Sequence, residues 1–86
     1  MRFLDKNLRY PTICQEQGIQ GRVVVRFIVD EMGNIIEPQV EESINPYLDK
    51  EAIRVVSIMP KLKPGLLRGK PISVRFEIPI HFRLGN

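Results

Sequence analysis

The sequence predicts a small α+β domain in which an antiparallel sheet of about three strands packs against one helix, with a short helix ahead of it. Three observations carry this. A β-branched run over residues 22–29 puts Val23, Val25, Phe27 and Val29 on one face of a strand. Leu48, Ala52, Val55, Val56 and Met59 then recur at helical spacing as one apolar stripe, which Pro60 ends. Finally, Ile72, Val74, Phe76, Ile78, Ile80, Phe82 and Leu84 alternate with polar or proline positions over thirteen residues, the clearest strand pattern in the chain. The 86 residues leave room for one hydrophobic core, so residues 1–86 read as a single domain with 1–9 as an N-terminal extension.

The Tyr10-Pro11 step forces residue 10 out of helical geometry and presets Pro11 for a first turn, so a helix is expected over 12–17, with Ile13 and Cys14 facing inward. Gly18 suits its left-handed cap. Residues 30–34, with Gly33 free to take positive φ, connect the first strand to a second over 35–42, which Pro38 demotes to an edge or a bulge. Asn45-Pro46 reads as an N-cap followed by proline at the first helical position. Residues 60–71 hold three prolines and two glycines among Lys61, Lys63, Arg68 and Lys70. They are expected to form a stiff basic loop pinned by Leu62, Leu66 and Leu67. The last strand, longer than its predecessors could cover, keeps part of one edge unpaired, and Pro79 leaves one side of its middle solvent-facing or bulged.

Composition excludes several kinds of chemistry. One cysteine, Cys14, and one histidine, His81, supply neither a disulfide framework nor the ligands of a zinc site. Nucleophilic catalysis has no constellation to draw on, so the chain is read as a non-enzyme without a cofactor. The longest apolar runs are three residues, far short of a membrane helix. Residues 65–71 match a phosphate loop poorly, being one residue short and leading into a strand, and Gly18-Ile19-Gln20-Gly21 lacks the two flanking helices of an RNA-binding module. The net charge of +3 is unevenly laid down: five basic against two acidic residues up to 29, one against seven over 30–51, and seven against one from 52 onward. That is a dipolar surface, suited to aligning with a partner rather than to coating a nucleic acid.

What remains is an edge. Main-chain pairing along the last strand is the recognition mode this geometry supports. A foreign peptide, the chain's own residues 1–10, or a second copy in a homodimer could each complete it.

Specific residues also carry a family resemblance. Tyr10-Pro11, Gly18-Ile19-x-Gly21, Val23-x-Val25-x-Phe27, Gly33, Leu48-Asp49-x-Glu51-Ala52, Met59-Pro60-Lys61, Lys63-Pro64-Gly65, Gly69-Lys70-Pro71 and Ile78-Pro79-Ile80-x-Phe82 resemble, in order and spacing, the C-terminal domain of the TonB energy transducers, in the form common in Bacteroidetes-like proteins. The resemblance spans residues 10–84, with Cys14 where the family usually has alanine and Leu62 where it usually has tryptophan. It implies a periplasmic domain tethered to an inner-membrane helix through a proline-rich spacer and working with ExbB and ExbD. Such a domain captures the TonB box of outer-membrane transporters by strand addition and passes on energy from the proton-motive force for siderophore, cobalamin or glycan uptake. Carried onto this sequence, the pairing edge falls on Ser73, Arg75, Glu77, Ile78, Pro79, Ile80 and His81, with Asn7 and Arg9 approaching the transporter. The alternative is a TonB-like interaction module of a sensor or envelope complex.

Overall fold

A computed structural model describes residues 2–85; the first residue of the expected N-terminal extension lies outside them. The elements run α1 (Arg2–Asn7), α2 (Thr12–Glu16), β1 (Gly21–Val29), β2 (Ile35–Glu42), α3 (Pro46–Ser57), β3 (Gly65–Leu67), β4 (Lys70–Ile72) and β5 (Val74–Phe82). A three-stranded antiparallel sheet has the order β2-β1-β5, and β3 and β4 form a separate hairpin.

The inward column of β1, Val23, Val25, Phe27 and Val29, meets Leu48, Ala52, Val55 and Val56 of α3, with Ile80 and Phe82 of β5 and Cys14 closing the core. Alternation on the strand and the 3.6-residue period on the helix therefore turn both apolar faces to one interior. Asn45 caps α3 as its residue type suggests: its Oδ1 accepts the N–H groups of Tyr47 at 2.8 Å and Leu48 at 3.3 Å. Asp30 organises the β1–β2 turn, its carboxylate accepting from the backbone of Met32 and Asn34. Tyr10 packs edge-to-face on Phe82, with ring centroids 5.5 Å apart, and its hydroxyl donates to the Ile19 carbonyl, which ties the Tyr10-Pro11 step to the entry of β1. Cys14 is fully buried with its Sγ 3.5 Å from Asn45 Oδ1, and Leu62 packs half-buried against the core.

Several expectations are corrected. The thirteen-residue alternating run is not one strand: it is interrupted at Ser73, which belongs to neither strand, its first residue belongs to β4, and Arg83 and Leu84 follow the end of β5. β5 is nine residues long and β1 covers it completely, from Gly21 opposite Phe82 to Val29 opposite Val74. Residues 60–71 are not wholly loop, because Leu67 opposite Lys70 closes the β3–β4 hairpin around Arg68 and Gly69, both at positive φ of 52° and 79°. This is the two-residue turn whose twist suits a hairpin, and arginine at its first position conceals it from a search for Asn-Gly or Gly-Gly. Leu66 and Leu67 do not pin that segment to the body but face solvent. The N-terminal extension holds the helix α1, and Ile13, expected inward, is half-exposed.

Candidate functional site

The sheet has two edges of different character. Along β2, Glu37 and Pro38 both lie opposite Phe27, and Glu41 is extra between Val40 and Glu42, so two bulges interrupt the ladder; Glu37 sits at φ 53°. This edge is bent and carries a proline, a poor template for a further strand. β5 runs against β1 through nine consecutive pairs without a shift. Among the described residues, no strand pairs with its outer side.

Pro79 tells which groups face out. It lies opposite Val24 in unbroken register, and a residue without an N–H preserves such a ladder only where its nitrogen points away from the partner strand. Residues two apart share that direction. Val74, Phe76, Ile78, Ile80 and Phe82 therefore bond to β1, whereas Arg75, Glu77, Pro79 and His81 turn their main chain to the open side, offering three N–H and four C=O groups. The side chains of these same four residues are exposed on the face away from the core.

α1 stands beside the second half of this edge. A cleft of about 310 Å³ separates them, lined by Leu4, Asp5 and Leu8 on one side and by Ile78, Pro79, Ile80 and His81 on the other. α1 satisfies its main chain internally, as in the bond from the Leu8 N–H to the Leu4 carbonyl at 2.8 Å. A helix can flank a strand in this way but cannot complete its ladder.

The structure thus brings Ile78, Pro79, Ile80 and His81 together in one cleft. Arg75 lies further along the edge, lining a smaller depression of about 110 Å³ with Arg26, Phe27, Ile28, Glu37 and Gln39. Glu77 follows it on the same exposed face, opposite Arg26, and Ser73 sits between β4 and β5 rather than in the ladder. Asn7 and Arg9 do not join these residues. The Asn7 amide donates to the Phe3 carbonyl at 2.9 Å, its own carbonyl accepts from Arg54 at 2.8 Å, and the Arg9 N–H donates to Glu51 Oε2 at 2.7 Å. The Arg9 side chain borders a second cleft, of about 320 Å³, with Pro11, Tyr47, Lys50, Glu51 and Arg54. Leu4, Asp5 and Leu8 escape the sequence reading, although the four-residue spacing of the two leucines is a helical signal.

Among the described residues, Glu51 is the charged side chain packed deepest, 9% exposed. Burial pushes its carboxyl pKa up, but hydrogen bonds from Arg54 and the Arg9 N–H, with the positive charge of both residues, outweigh this and hold it below the ordinary range. This carboxylate fastens the segment after α1 to α3. No helix among the described residues is long and apolar enough to cross a membrane, and none of their His, Cys, Asp or Glu side chains gather in a group of three or more able to hold a metal ion.

Both the sequence and the fold have counterparts among known proteins. The family of Gram-negative bacterial TonB protein C-terminal domains matches residues 6–84. Over 77 residues the chain is 36% identical to Protein TonB of Vibrio cholerae serotype O1, covering 88% of this chain but 31% of that relative's length. In fold it is similar to the TonB C-terminal domain of Helicobacter pylori, with a TM-score of 0.75 at 23% identity over 99% of this chain and 77% of that one. The Pseudomonas aeruginosa TonB C-terminal domain gives 0.67 at 27% identity over 91% and 79%. The chain belongs to the family of TonB protein C-terminal domains.

Proposed function

We propose that this chain is the partner-capturing end of a periplasmic energy transducer, and that the outer edge of β5 takes up the TonB box of an outer-membrane transporter as an added strand. One observation carries the reading: β5 is a continuous edge strand in unbroken register, with the main chain of Arg75, Glu77, Pro79 and His81 turned outward, while the opposite edge is blunted by two bulges. An extended segment placed there gains main-chain hydrogen bonds whatever its side chains, and the cleft against Leu4 and Leu8 adds an apolar contact for one or two of them.

The same geometry suits load. A pull along the added strand shears several hydrogen bonds at once, and β5 hands the force to β1 through nine paired positions, so the joint to the peptide yields before the fold does. In the whole protein an inner-membrane anchor and the ExbB and ExbD motor would supply that pull, drawing on the proton-motive force, and the transporter's plug would receive it. Isothermal titration with a synthetic TonB-box peptide tests the reading. Binding is expected, and it should weaken when proline replaces Arg75; binding indifferent to that change would remove β5 as the receiving edge.

A further inference from the structure

We propose that the β3–β4 hairpin is a docking finger whose tip enters the surface of a bilayer containing anionic phospholipid. Leu66 and Leu67 are 67% and 59% exposed, the first of them among the most exposed large apolar side chains described. Being consecutive on a three-residue strand, they point to opposite sides of the hairpin. A protein pocket would have to clasp a convex tip from both sides to bury both, whereas a fluid interface surrounds it without being shaped for it. The Arg68-Gly69 turn, with both residues in the left-handed region, closes the finger tightly.

Charge points to the same surface. Between Arg54 and Glu77 the chain carries Lys61, Lys63, Arg68, Lys70 and Arg75 and no carboxylate. The acidic residues of the adjoining β1–β2 turn are Asp30 and Glu31; that turn meets the segment through the bond from the Leu62 N–H to the Gly33 carbonyl at 2.9 Å. The Asp30 carboxylate, held ionised by the backbone of Asn34 and Met32, offsets Lys61; Lys63, Arg68 and Lys70 form no ion pair among the described residues, so the cations at the tip stay uncompensated. Leucines flanked by long cationic side chains match a phospholipid surface, where the stems lie along the acyl boundary and the charges reach the headgroups. The finger joins β5 at Val74, at the opposite end of the strand from Phe82, so docking leaves the cleft at Ile78–His81 open.

Co-sedimentation with vesicles of phosphatidylcholine and phosphatidylglycerol, against phosphatidylcholine alone, tests the finger. The chain should partition reversibly onto the anionic vesicles, less so as salt rises, and the double substitution Leu66→Ser, Leu67→Ser should lower the partition coefficient roughly tenfold or more without moving the thermal midpoint. Because the sequence has no tryptophan, Leu67→Trp gives a single reporter whose emission should shift to the blue on the anionic vesicles. No partition, partition unchanged by the double substitution, or an unshifted emission would each overturn the proposal, the second by reducing it to headgroup attraction alone.

Discussion

Pro79 of β5 lies opposite Val24 of β1 with no break in register. That pairing orients the whole strand: the one residue without a donor stands where a donor would face outward, so the inner ladder loses nothing and the outer edge keeps the N–H groups of Arg75, Glu77 and His81.

Proline placed at neighbouring positions of β5 should therefore have opposite consequences. Arg75→Pro removes an outward donor and should weaken peptide binding while leaving stability nearly intact, whereas Phe76→Pro removes a bond to Phe27 together with the ring stacked on it and should destabilise the fold by about 1–3 kcal/mol for the unmade bond alone. Urea unfolding and peptide titration of both variants, with Arg75→Ala as the side-chain control, check this. Equal loss of binding in Arg75→Ala and Arg75→Pro would show that the guanidinium, not the ladder, makes the contact.

Glu51→Gln should cost about 1–3 kcal/mol at neutral pH, because the buried site keeps Arg54 and the Arg9 N–H but loses the charge that satisfies them. The folded pKa of Glu51 lies below its ordinary value of 4.5. Its contribution is therefore present above that value and is lost as pH falls through the folded pKa. Urea midpoints of the wild type and the variant should converge as the pH drops below 4.5.

Gly33 and Gly69 both take positive φ, 86° and 79°, yet alanine should be tolerated differently. A Cβ on Gly33 would stand 2.2 Å from the Leu62 carbonyl oxygen, a backbone atom, whereas one on Gly69 meets nothing within 4 Å. Gly69→Ala should cost about 1 kcal/mol from conformation alone and Gly33→Ala distinctly more, since the turn and residue 62 must also part. Thermal unfolding of the two variants measures the order.

Tyr10→Phe keeps the ring against Phe82 and deletes only the hydroxyl that donates to Ile19, so it should cost about 1 kcal/mol. Phe82→Ala opens the core at a residue 1% exposed and should cost about 3–5 kcal/mol. A reversed order in chemical denaturation would place the entry to β1, rather than core volume, in control of stability.

Much of this fold was legible because local and global signals agree: the inward column of β1, the stripe on α3 from Leu48 to Val56, the Asn45-Pro46 cap and Pro38 all act as their residue types imply, although α3 ends at Ser57, before Met59 and Pro60. The length of β5 was not. Alternation continues through Ser73 although the pairing changes there from β3 to β1, because a side-chain pattern records which face is wet and not which strand lies alongside. The hairpin tip was hidden for a related reason, since Arg68 occupies a left-handed position more often given to glycine or asparagine. Of the candidate site, the residues from Ile78 to His81 could be named from the pattern and the family likeness. The flank supplied by Leu4 and Leu8 depends on how α1 docks. Asn7 and Arg9 face elsewhere because Glu51 and Arg54 hold their backbone against α3.

Amide chemical shifts of β5 during titration with a TonB-box peptide test the central claim most directly. Strand addition should move the amides of Arg75, Glu77 and His81 most, in alternation with the inward amides of Phe76, Ile78 and Ile80. Perturbation without that alternation, or confined to residues 53–59 of α3 and its end, would contradict it.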